Sequence, residues 1–158
     1  NAFTMLQLAH ATATLANGGR PMRPRMLRAQ QSQGAPLEMM APDPGEPLAV
    51  RPEHVRLVTR AMVDVNRFGT SRVVFEGAEY QAAGKTGTAQ VMDARNHKTG
   101  QTTWFASFGG TGEDRRYAVV VMVEDGRSGG ESCAPLAHDV YAAIRDIERP
   151  PAAVARNN

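Results

Sequence analysis

The sequence predicts an α+β fold in which an antiparallel sheet is flanked by helices. Apolar residues recur at helical spacing in two segments before Phe75, and they alternate with polar residues after Gly84. The connections between the alternating segments are short, which suits antiparallel hairpins better than parallel crossovers. With 158 residues, of which 42% are hydrophobic, the chain can build one core.

Two segments predict helices with one buried face. Thr4–Asn17 places apolar residues three and four apart and runs into the stop signal Gly18-Gly19. Pro52–Asn66 begins with proline at a favourable first position and continues with valines and methionine at the same spacing. Arg72–Phe75 predicts one further helical turn.

The segment between these helices predicts a small hairpin and a loop. Arg25–Arg28 and Leu37–Met40 are candidate strands around the polar turn Gln30–Pro36. Ala41–Pro47 contains three prolines and is expected to be a loop.

The second half of the chain predicts three antiparallel strands. They are Gly84–Met92, Thr103–Gly109 and Tyr117–Glu124, joined by Asp93–Thr102 and Gly110–Arg116. A final helix is expected, with Ser132 as its N-cap and Pro150-Pro151 as its end. Cys133 is expected to pack as a small apolar residue. The predicted inner face of this helix comprises Leu136, Val140, Ala143, Ile144 and Ile147.

Charge and composition exclude several classes of function. The 18 basic and 16 acidic residues are too balanced for a polyanion partner, so no nucleic acid is expected. The arginines at positions 20, 23, 25 and 28 have no interleaved aromatics and suit a solvated strand face. The longest apolar run, Tyr117–Val123, is too short to cross a bilayer. Any membrane anchor or export signal is therefore expected outside this sequence.

The stretch Ala83–Val91 allows two interpretations. A phosphate loop needs glycine where Glu79 stands and a helix after the lysine, but Thr88–Val91 is strand-like. The alternative is a strand that binds an anionic substrate. Lys85 supplies positive charge, the Thr86 and Thr88 hydroxyls supply donors, and Gly87 allows close approach. The backbone N–H of Thr88 could also stabilise an oxyanion. A strand whose Lys85 merely faces solvent remains the structural alternative.

Three other motifs are weaker. Lys98-Thr99-Gly100 repeats the tripeptide without alternating apolar residues, which predicts a surface turn. Gly126–Gly130 fits the Gly-x-Ser-x-Gly elbow of an esterase with Ser128 as nucleophile, but a flexible loop is the preferred interpretation because a downstream acid and histidine in the required order are missing. No cofactor or metal is expected, since the histidines lack ligand spacing. They are His10, His54, His97 and His138.

The ordered motifs resemble a known family. Gly84–Gln90 (G-K-T-G-T-A-Q) resembles the Lys-Thr-Gly box of penicillin-binding proteins and serine β-lactamases. Met5–Gly18 is similar to the helix of class B transpeptidases that reads T-P-L-Q-x-A and ends in A-N-G. Trp104–Phe108, Tyr117–Glu124 and Ala134–Ala137 resemble the family's last strands and C-terminal helix. The resemblance covers nearly the whole chain and is closest to the elongation-type, penicillin-binding protein 2 group.

The resemblance implies a transpeptidase fold and serine acyl transfer on the D-Ala-D-Ala end of peptidoglycan stem peptides, with β-lactams as suicide acylators. It implies catalytic roles for Lys85 and Thr88, and substrate binding by Lys85, Thr86, Gly87 and Thr88. It also implies an extracytoplasmic location at the periplasmic face of the inner membrane, with a membrane glycosyltransferase of the elongation machinery as partner.

The sequence departs from the family in two motifs. Ser-x-x-Lys is absent, because Ala82 and Arg95 stand three places before the only two lysines. Ser-x-Asn is absent too. Residues 1–149 are therefore expected to be the C-terminal half of a transpeptidase domain, with 150–158 as a tail. Alone the chain should not form an acyl-enzyme. A companion segment carrying both motifs is expected to cover the apolar edge of Tyr117–Val123. A non-catalytic β-lactam-binding or assembly module is the alternative.

Overall fold

The computed structural model describes residues 3–110 and 117–148 and has the predicted α+β architecture. Helices precede and follow an antiparallel sheet, and a two-stranded hairpin lies between the first two helices. The elements are α1 Met5–Ala16, β1 Ala29–Gln30, β2 Glu38–Met39, α2 Pro52–Phe68, α3 Arg72–Phe75, β3 Gln81–Met92, β4 Lys98–Gly110, β5 Tyr117–Glu124, a π-helical turn Gly129–Cys133 and α4 Ala134–Glu148.

The main sheet has the order β3-β4-β5 with both pairs antiparallel. Gly87 lies opposite Trp104, which in turn lies opposite Met122. Among the described residues, no strand pairs with the outer edge of β3 or of β5. The companion segment that was predicted to cover β5 stays a prediction.

Alternation along the strands sends side chains to two faces, and each face has its own core. On one face, Phe105 is fully buried and stacks on Phe75 from α3 with ring centroids 5.7 Å apart. Tyr141 from α4 packs on the same side. On the other face, Phe108 packs against Met62 from α2, with part of α1 beside it. The sheet is thus sandwiched between two layers of helices.

The helix boundaries confirm the sequence signals. Thr4 caps α1 through a capping box with Gln7, and the chain leaves the helix through Gly18 and Gly19, whose φ angles are +67° and +87°. Helix α2 begins at the predicted Pro52 and runs two residues beyond the predicted end.

The junction between α2, α3 and β3 depends on one buried side chain. Asn66 near the end of α2 donates from Nδ2 to the carbonyl of Ala82 at 2.7 Å. Its Oδ1 accepts from the buried Ser71 hydroxyl at 2.7 Å. The amide therefore links the helix end, the following turn and the start of β3.

The prediction that Asp93–Thr102 forms a connection was wrong in its second half. Strand β4 begins at Lys98, so Lys98-Thr99-Gly100 is strand and not a surface turn. The turn itself is tight because the carboxylate of Asp93 accepts from the N–H groups of Arg95 and His97, both at 2.8 Å, and Asn96 has a φ of 63°. Polar residues can continue a two-stranded ribbon whose faces are solvated, so apolar alternation does not mark this part of β4.

The first hairpin is smaller than predicted. Ala29–Gln30 pairs with Glu38–Met39, so the first strand lies just after the predicted Arg25–Arg28. The segment Ala41–Pro47, predicted to be a loop, lies between β2 and α2 and belongs to neither element.

The inner face predicted for α4 was also wrong. Ala134, Ala137 and Tyr141 face the sheet, whereas Leu136 and Ile147 are 47% and 83% exposed. Ala134 and Ala137 are fully buried, and their small side chains allow α4 to pack closely on the strands. The predicted cap Ser132 is replaced by Ser128, which caps the π-helical turn, and Cys133 is buried as predicted. Two further predictions fall on residues outside the described ranges. They are the connection Gly110–Arg116, apart from Gly110 itself, and the helix end at Pro150-Pro151.

The buried hydroxyl of Tyr141 predicts alkaline sensitivity. It lies 3.1 Å from Ser107 Oγ, and burial raises the pKa of Tyr141 to about 12, while burial and the nearby Tyr141 raise the pKa of Tyr80 as well. The unfolded chain loses these protons near pH 10, so the stabilisation is complete below pH 10 and is lost as pH rises towards 12. Tyr141→Phe should reduce the fall in unfolding free energy between pH 9 and 11 by about 1 kcal/mol. Urea titrations test this, and an unchanged pH slope would contradict it.

Removing the Asn66 amide should be costly. Asn66→Ala leaves the Ala82 carbonyl and the Ser71 hydroxyl without this partner, and we expect about 2–4 kcal/mol of destabilisation. Ser71→Ala, which removes only one of the two hydrogen bonds, should cost about 1 kcal/mol. Denaturant unfolding compares them. Equal effects of the two substitutions would show that the Asn66–Ala82 hydrogen bond contributes little.

Candidate functional site

The four predicted site residues lie in the middle of β3, opposite Ala106 to Thr103 of β4. Alternation places Lys85 and Gly87 on the face of α1 and α2, and Thr86 and Thr88 on the face of α4. Lys85 and Thr88 are exposed, whereas Thr86 and Gly87 are partly buried. The side chains do not converge on one face, but all four residues share the outer edge of the strand.

The backbone of β3 presents alternate residues to that outer edge. Asn66 binds the Ala82 carbonyl from the side away from β4. Backbone groups in a strand alternate in direction, so Gly84, Thr86 and Thr88 direct their N–H and C=O groups the same way. Lys85 Nζ donates to the Thr86 carbonyl. The N–H of Thr88 therefore points to the edge, as the oxyanion hypothesis requires.

A glycine loop, which runs from Gly126 after β5 to Gly130 in the π-helical turn, packs directly on this part of the sheet. A Cβ on Gly129 would lie 2.2 Å from the Trp104 carbonyl oxygen and 2.9 Å from the Gly87 nitrogen. A Cβ on Gly130 would lie 2.7 Å from the Thr70 carbonyl oxygen. The loop approaches the strands closely only because these positions have no side chain.

Thr70 adds a hydroxyl to the site. Its Oγ1 lies 3.0 Å from Thr86 Oγ1, so the two side chains share a hydrogen bond at the edge of β3. Thr70 belongs to the turn between α2 and α3, which Asn66 and Ser71 fix from inside. The turn thus orients one of the predicted substrate-binding hydroxyls.

The glycine loop is fixed at its start by Gln101 of β4. The Gln101 side-chain amide donates to the carbonyls of Gly126 and Arg127. Its backbone N–H donates to Asp125 Oδ1 at 3.1 Å, and Asp125 has a φ of 53°. The N–H of Arg127 donates to Ser132 Oγ at 2.9 Å. These bonds hold the loop beside the strand edge.

Sequence reasoning missed Thr70, Gly129 and Gln101. Glycines at 126, 129 and 130 indicated a loop, but no periodicity in the sequence reveals that the loop packs on Gly87. Thr70 lies between the two predicted helical segments Pro52–Asn66 and Arg72–Phe75, and no role was predicted for it. Their contribution depends on tertiary contacts.

Ser128 does not have the geometry of an esterase nucleophile. Its backbone is extended, with φ −156° and ψ 162°, and its Oγ accepts a hydrogen bond from the Glu131 N–H at 3.1 Å. The strand before it belongs to an antiparallel sheet. Ser128 acts as a helix cap here, whereas an esterase elbow requires a sharp turn after a parallel strand.

The described residues contain no group of three or more His, Cys, Asp or Glu side chains that could hold a metal ion. His138 instead packs beside the ring of Phe75, and His97 lies 3.4 Å from a carboxylate oxygen of Asp93. No helix in residues 3–110 and 117–148 has the length and apolar character needed to cross a membrane.

The arrangement suits an extended anionic ligand that lies along β3. A carboxylate can accept from the Thr86 and Thr88 hydroxyls while Lys85 adds positive charge from the opposite face. A carbonyl oxygen can accept from the Thr88 N–H. The described side chains at this edge supply donors and charge, and they supply no activated nucleophile.

Comparisons with known proteins agree with this description. The model of the "Penicillin binding protein transpeptidase domain" family matches residues 2–142. The peptidoglycan D,D-transpeptidase MrdA of Haemophilus influenzae is 30% identical in an alignment 152 residues long, which covers 87% of this chain and 23% of that protein. The peptidoglycan D,D-transpeptidase PbpA of Mycolicibacterium smegmatis is 34% identical in an alignment 153 residues long, which covers 92% of this chain and 30% of that protein. The chain thus spans about a quarter of the length of these curated relatives.

Solved structures show the same fold. Penicillin-binding protein 2 of Pseudomonas aeruginosa, in complex with WCK 5153, has a TM-score of 0.72 and 32% identity and covers 99% of this chain and 33% of its own. The ceftriaxone acyl-enzyme of penicillin-binding protein A from Mycobacterium tuberculosis has a TM-score of 0.74 and 27% identity and covers 89% of this chain and 32% of its own. The chain belongs to the penicillin-binding protein transpeptidase domain family, and within it to the class B proteins similar to penicillin-binding protein 2.

Proposed function

We propose that this chain supplies one wall of a serine acyl-transfer site in a peptidoglycan D,D-transpeptidase that cross-links stem peptides and is acylated by β-lactams. The observation that carries the proposal is the Lys85–Thr88 strand with its outer edge open among the described residues. Its support comes from the family match and from relatives named as D,D-transpeptidases. A solved relative captured as a ceftriaxone acyl-enzyme supports β-lactam acylation.

The chemistry has two steps. A serine hydroxyl attacks the carbonyl of the penultimate D-Ala, the amide C–N bond breaks, and terminal D-Ala leaves with the serine proton on its amine. The amine of a second stem peptide then attacks the ester, and the serine oxygen leaves and regains a proton. A β-lactam enters the first step, but its leaving nitrogen stays tethered to the acyl group.

Each residue of the strand has a distinct role in this proposal. The Thr88 N–H donates to the oxyanion that forms as the carbonyl is attacked. The Thr86 and Thr88 hydroxyls bind the terminal carboxylate, and Thr70 orients Thr86. Lys85 stabilises developing negative charge and helps to move the serine proton. Gly87 lets the substrate backbone approach the strand.

The nucleophile is supplied from outside the present sequence. We propose that residues 1–149 form the C-terminal half of the transpeptidase domain, that 150–158 form a tail, and that a companion segment carries Ser-x-x-Lys and Ser-x-Asn. This segment would also cover the outer edge of β5. The whole protein would lie at the periplasmic face of the inner membrane, anchored elsewhere, and would work with a membrane glycosyltransferase.

Lys85→Ala should lower the rate of penicillin acylation by about 10²–10³-fold in the complete enzyme, because a charge that acts in the transition state is removed. Lys98→Ala is the matched control, since it lies in the same tripeptide at the far end of the β3-β4 hairpin. Its rate should stay within about twofold of the parent. Intact-mass analysis of every polypeptide after incubation with penicillin measures both.

Two results of that experiment would overturn the proposal. Equal acylation of the Lys85→Ala variant and the parent would remove Lys85 from the site. No penicilloyl adduct on any polypeptide of the parent would favour a non-catalytic β-lactam-binding or assembly module.

Gly87→Ala should separate substrate approach from folding. Its new Cβ would meet only Trp104, 3.6 Å from the Trp104 Cβ, so the fold should tolerate it. Acylation should nevertheless fall by about tenfold or more, because the methyl group projects from the same face as Lys85 and hinders the close approach of the substrate backbone. Thermal unfolding and acylation rates are measured together. Gly129→Ala, which collides with backbone, should lower both, and an unchanged acylation rate in Gly87→Ala would place the substrate elsewhere.

A further inference from the structure

A concave surface lies near the start of β3, away from the candidate site. It is formed by the last residues of α1 and by residues along α2. The cavity has a volume of about 440 Å³ and reaches Gln81 at the start of the strand. Gln81 is four residues from Lys85, which corresponds to roughly 13 Å along an extended chain. The cavity is therefore separate from the candidate site, and none of the proposed acyl-transfer residues lines it.

Three arginines line this cavity from one helix face. Arg56, Arg60 and Arg67 follow each other at spacings of four and seven residues along α2. At the helical rise these spacings correspond to roughly 6 Å and 10 Å, so the guanidinium groups form a row along the rim.

The arginines form no ion pair in the part of the chain that the structure describes. None of the three makes a side-chain hydrogen bond there either, whereas Arg51 pairs with Glu53 and Arg72 pairs with Glu76. Like charges four residues apart destabilise a helix, so Arg56 and Arg60 repel each other, and one acidic side chain of the lining offsets only part of the three positive charges. A bound anion would remove this repulsion and gain bidentate hydrogen bonds.

The base of the cavity is apolar. Leu15 and Ala16 contribute from α1, and Val55 and Val63 contribute from α2. One acid, Asp64, lies on the lining and is likewise not ion-paired among the described residues. An apolar base below a row of cations suits a ligand with a doubly charged head and a hydrophobic body.

We propose that the cavity between α1 and α2 is a binding site for an organic phosphate, with the phosphate held by Arg56, Arg60 and Arg67 and the apolar part seated on Leu15, Val55 and Val63. Phosphate fits better than a single carboxylate, because three arginines can share its charge and its several acceptor oxygens. The proposal is independent of the proposed acyl-transfer function.

Phenyl phosphate and inorganic phosphate are the probes, measured by isothermal titration on the longest soluble form of the protein that contains these residues. Phenyl phosphate should bind at least about tenfold more tightly than phosphate, because its ring buries apolar surface. Binding of phenyl phosphate should strengthen between pH 5.5 and 7.5 as its second phosphate proton, with a pKa near 6, is lost.

Two charge-changing variants and one control test the site. Arg60→Gln should weaken phenyl phosphate binding by about tenfold or more, since a charge-assisted contact is lost. Asp64→Asn should strengthen it by about threefold, a gain that misfolding cannot produce. Arg72→Gln, at an ion-paired arginine outside the cavity, should leave it unchanged.

Three results would contradict the proposed phosphate site. Equal affinity for phosphate and phenyl phosphate would remove the apolar base from the site. Equal loss of phenyl phosphate affinity in Arg60→Gln and Arg72→Gln would show that positive charge anywhere on the protein attracts the ligand, and not this cavity. Absence of binding by the parent protein at millimolar phenyl phosphate would overturn the proposal and would indicate that another segment covers the cavity.

Discussion

Among residues 3–110 and 117–148, strand β3 is hydrogen-bonded to a neighbouring strand on one side only, and the elements packed around it fix the position of its other side. Asn66 secures the first outward carbonyl, at Ala82. Gly84 has no side chain because a Cβ there would lie 2.3 Å from the ring of Phe105 and 3.2 Å from Asn66 Oδ1. The fully buried Phe105 can therefore lie under the strand without displacing the Asn66 amide. An open edge normally invites aggregation, and here it is held rigid on both flanks.

Rigidity of this edge matters because donors that stabilise an oxyanion are effective only when they are positioned before the reaction. The core provides it by close packing on both faces. Phe75, Phe105 and Tyr80 form an aromatic cluster on one side, while Phe108 and Met62 fill the other. The hydroxyl of Tyr141 in this packing is hydrogen-bonded to Ser107, and burial raises its pKa, so this group stays neutral up to alkaline pH.

The fold was predictable wherever local pattern and burial coincide. Tyr117–Glu124 was predicted with the observed bounds because its six central residues form an unbroken apolar run, and most of its positions are partly buried. Lys98–Thr102 was missed because a solvated ribbon needs no apolar alternation. The face of α4 was misjudged because the closest contact with the sheet selects alanines, and large apolar residues then fall on other faces. The Lys85–Thr88 motif was recognisable from the sequence, but Thr70 and Gly129 reach it only through tertiary packing.

The opposite orientations of Lys85 and the two threonines restrict how a substrate can bind. Lys85 Nζ reaches the outer edge of the strand, where it donates to the Thr86 carbonyl, so its charge and the threonine hydroxyls come together along that edge. An extended peptide along the edge contacts both faces at once and adds backbone hydrogen bonds, as in strand addition. The backbone groups of alternate residues point outward, so the Thr88 N–H and the Thr86 carbonyl both face a strand that adds to this edge. A linear peptide with a terminal carboxylate, the substrate proposed above, would use the Lys85 charge, the threonine hydroxyls and the outward backbone groups together when it lies along this edge.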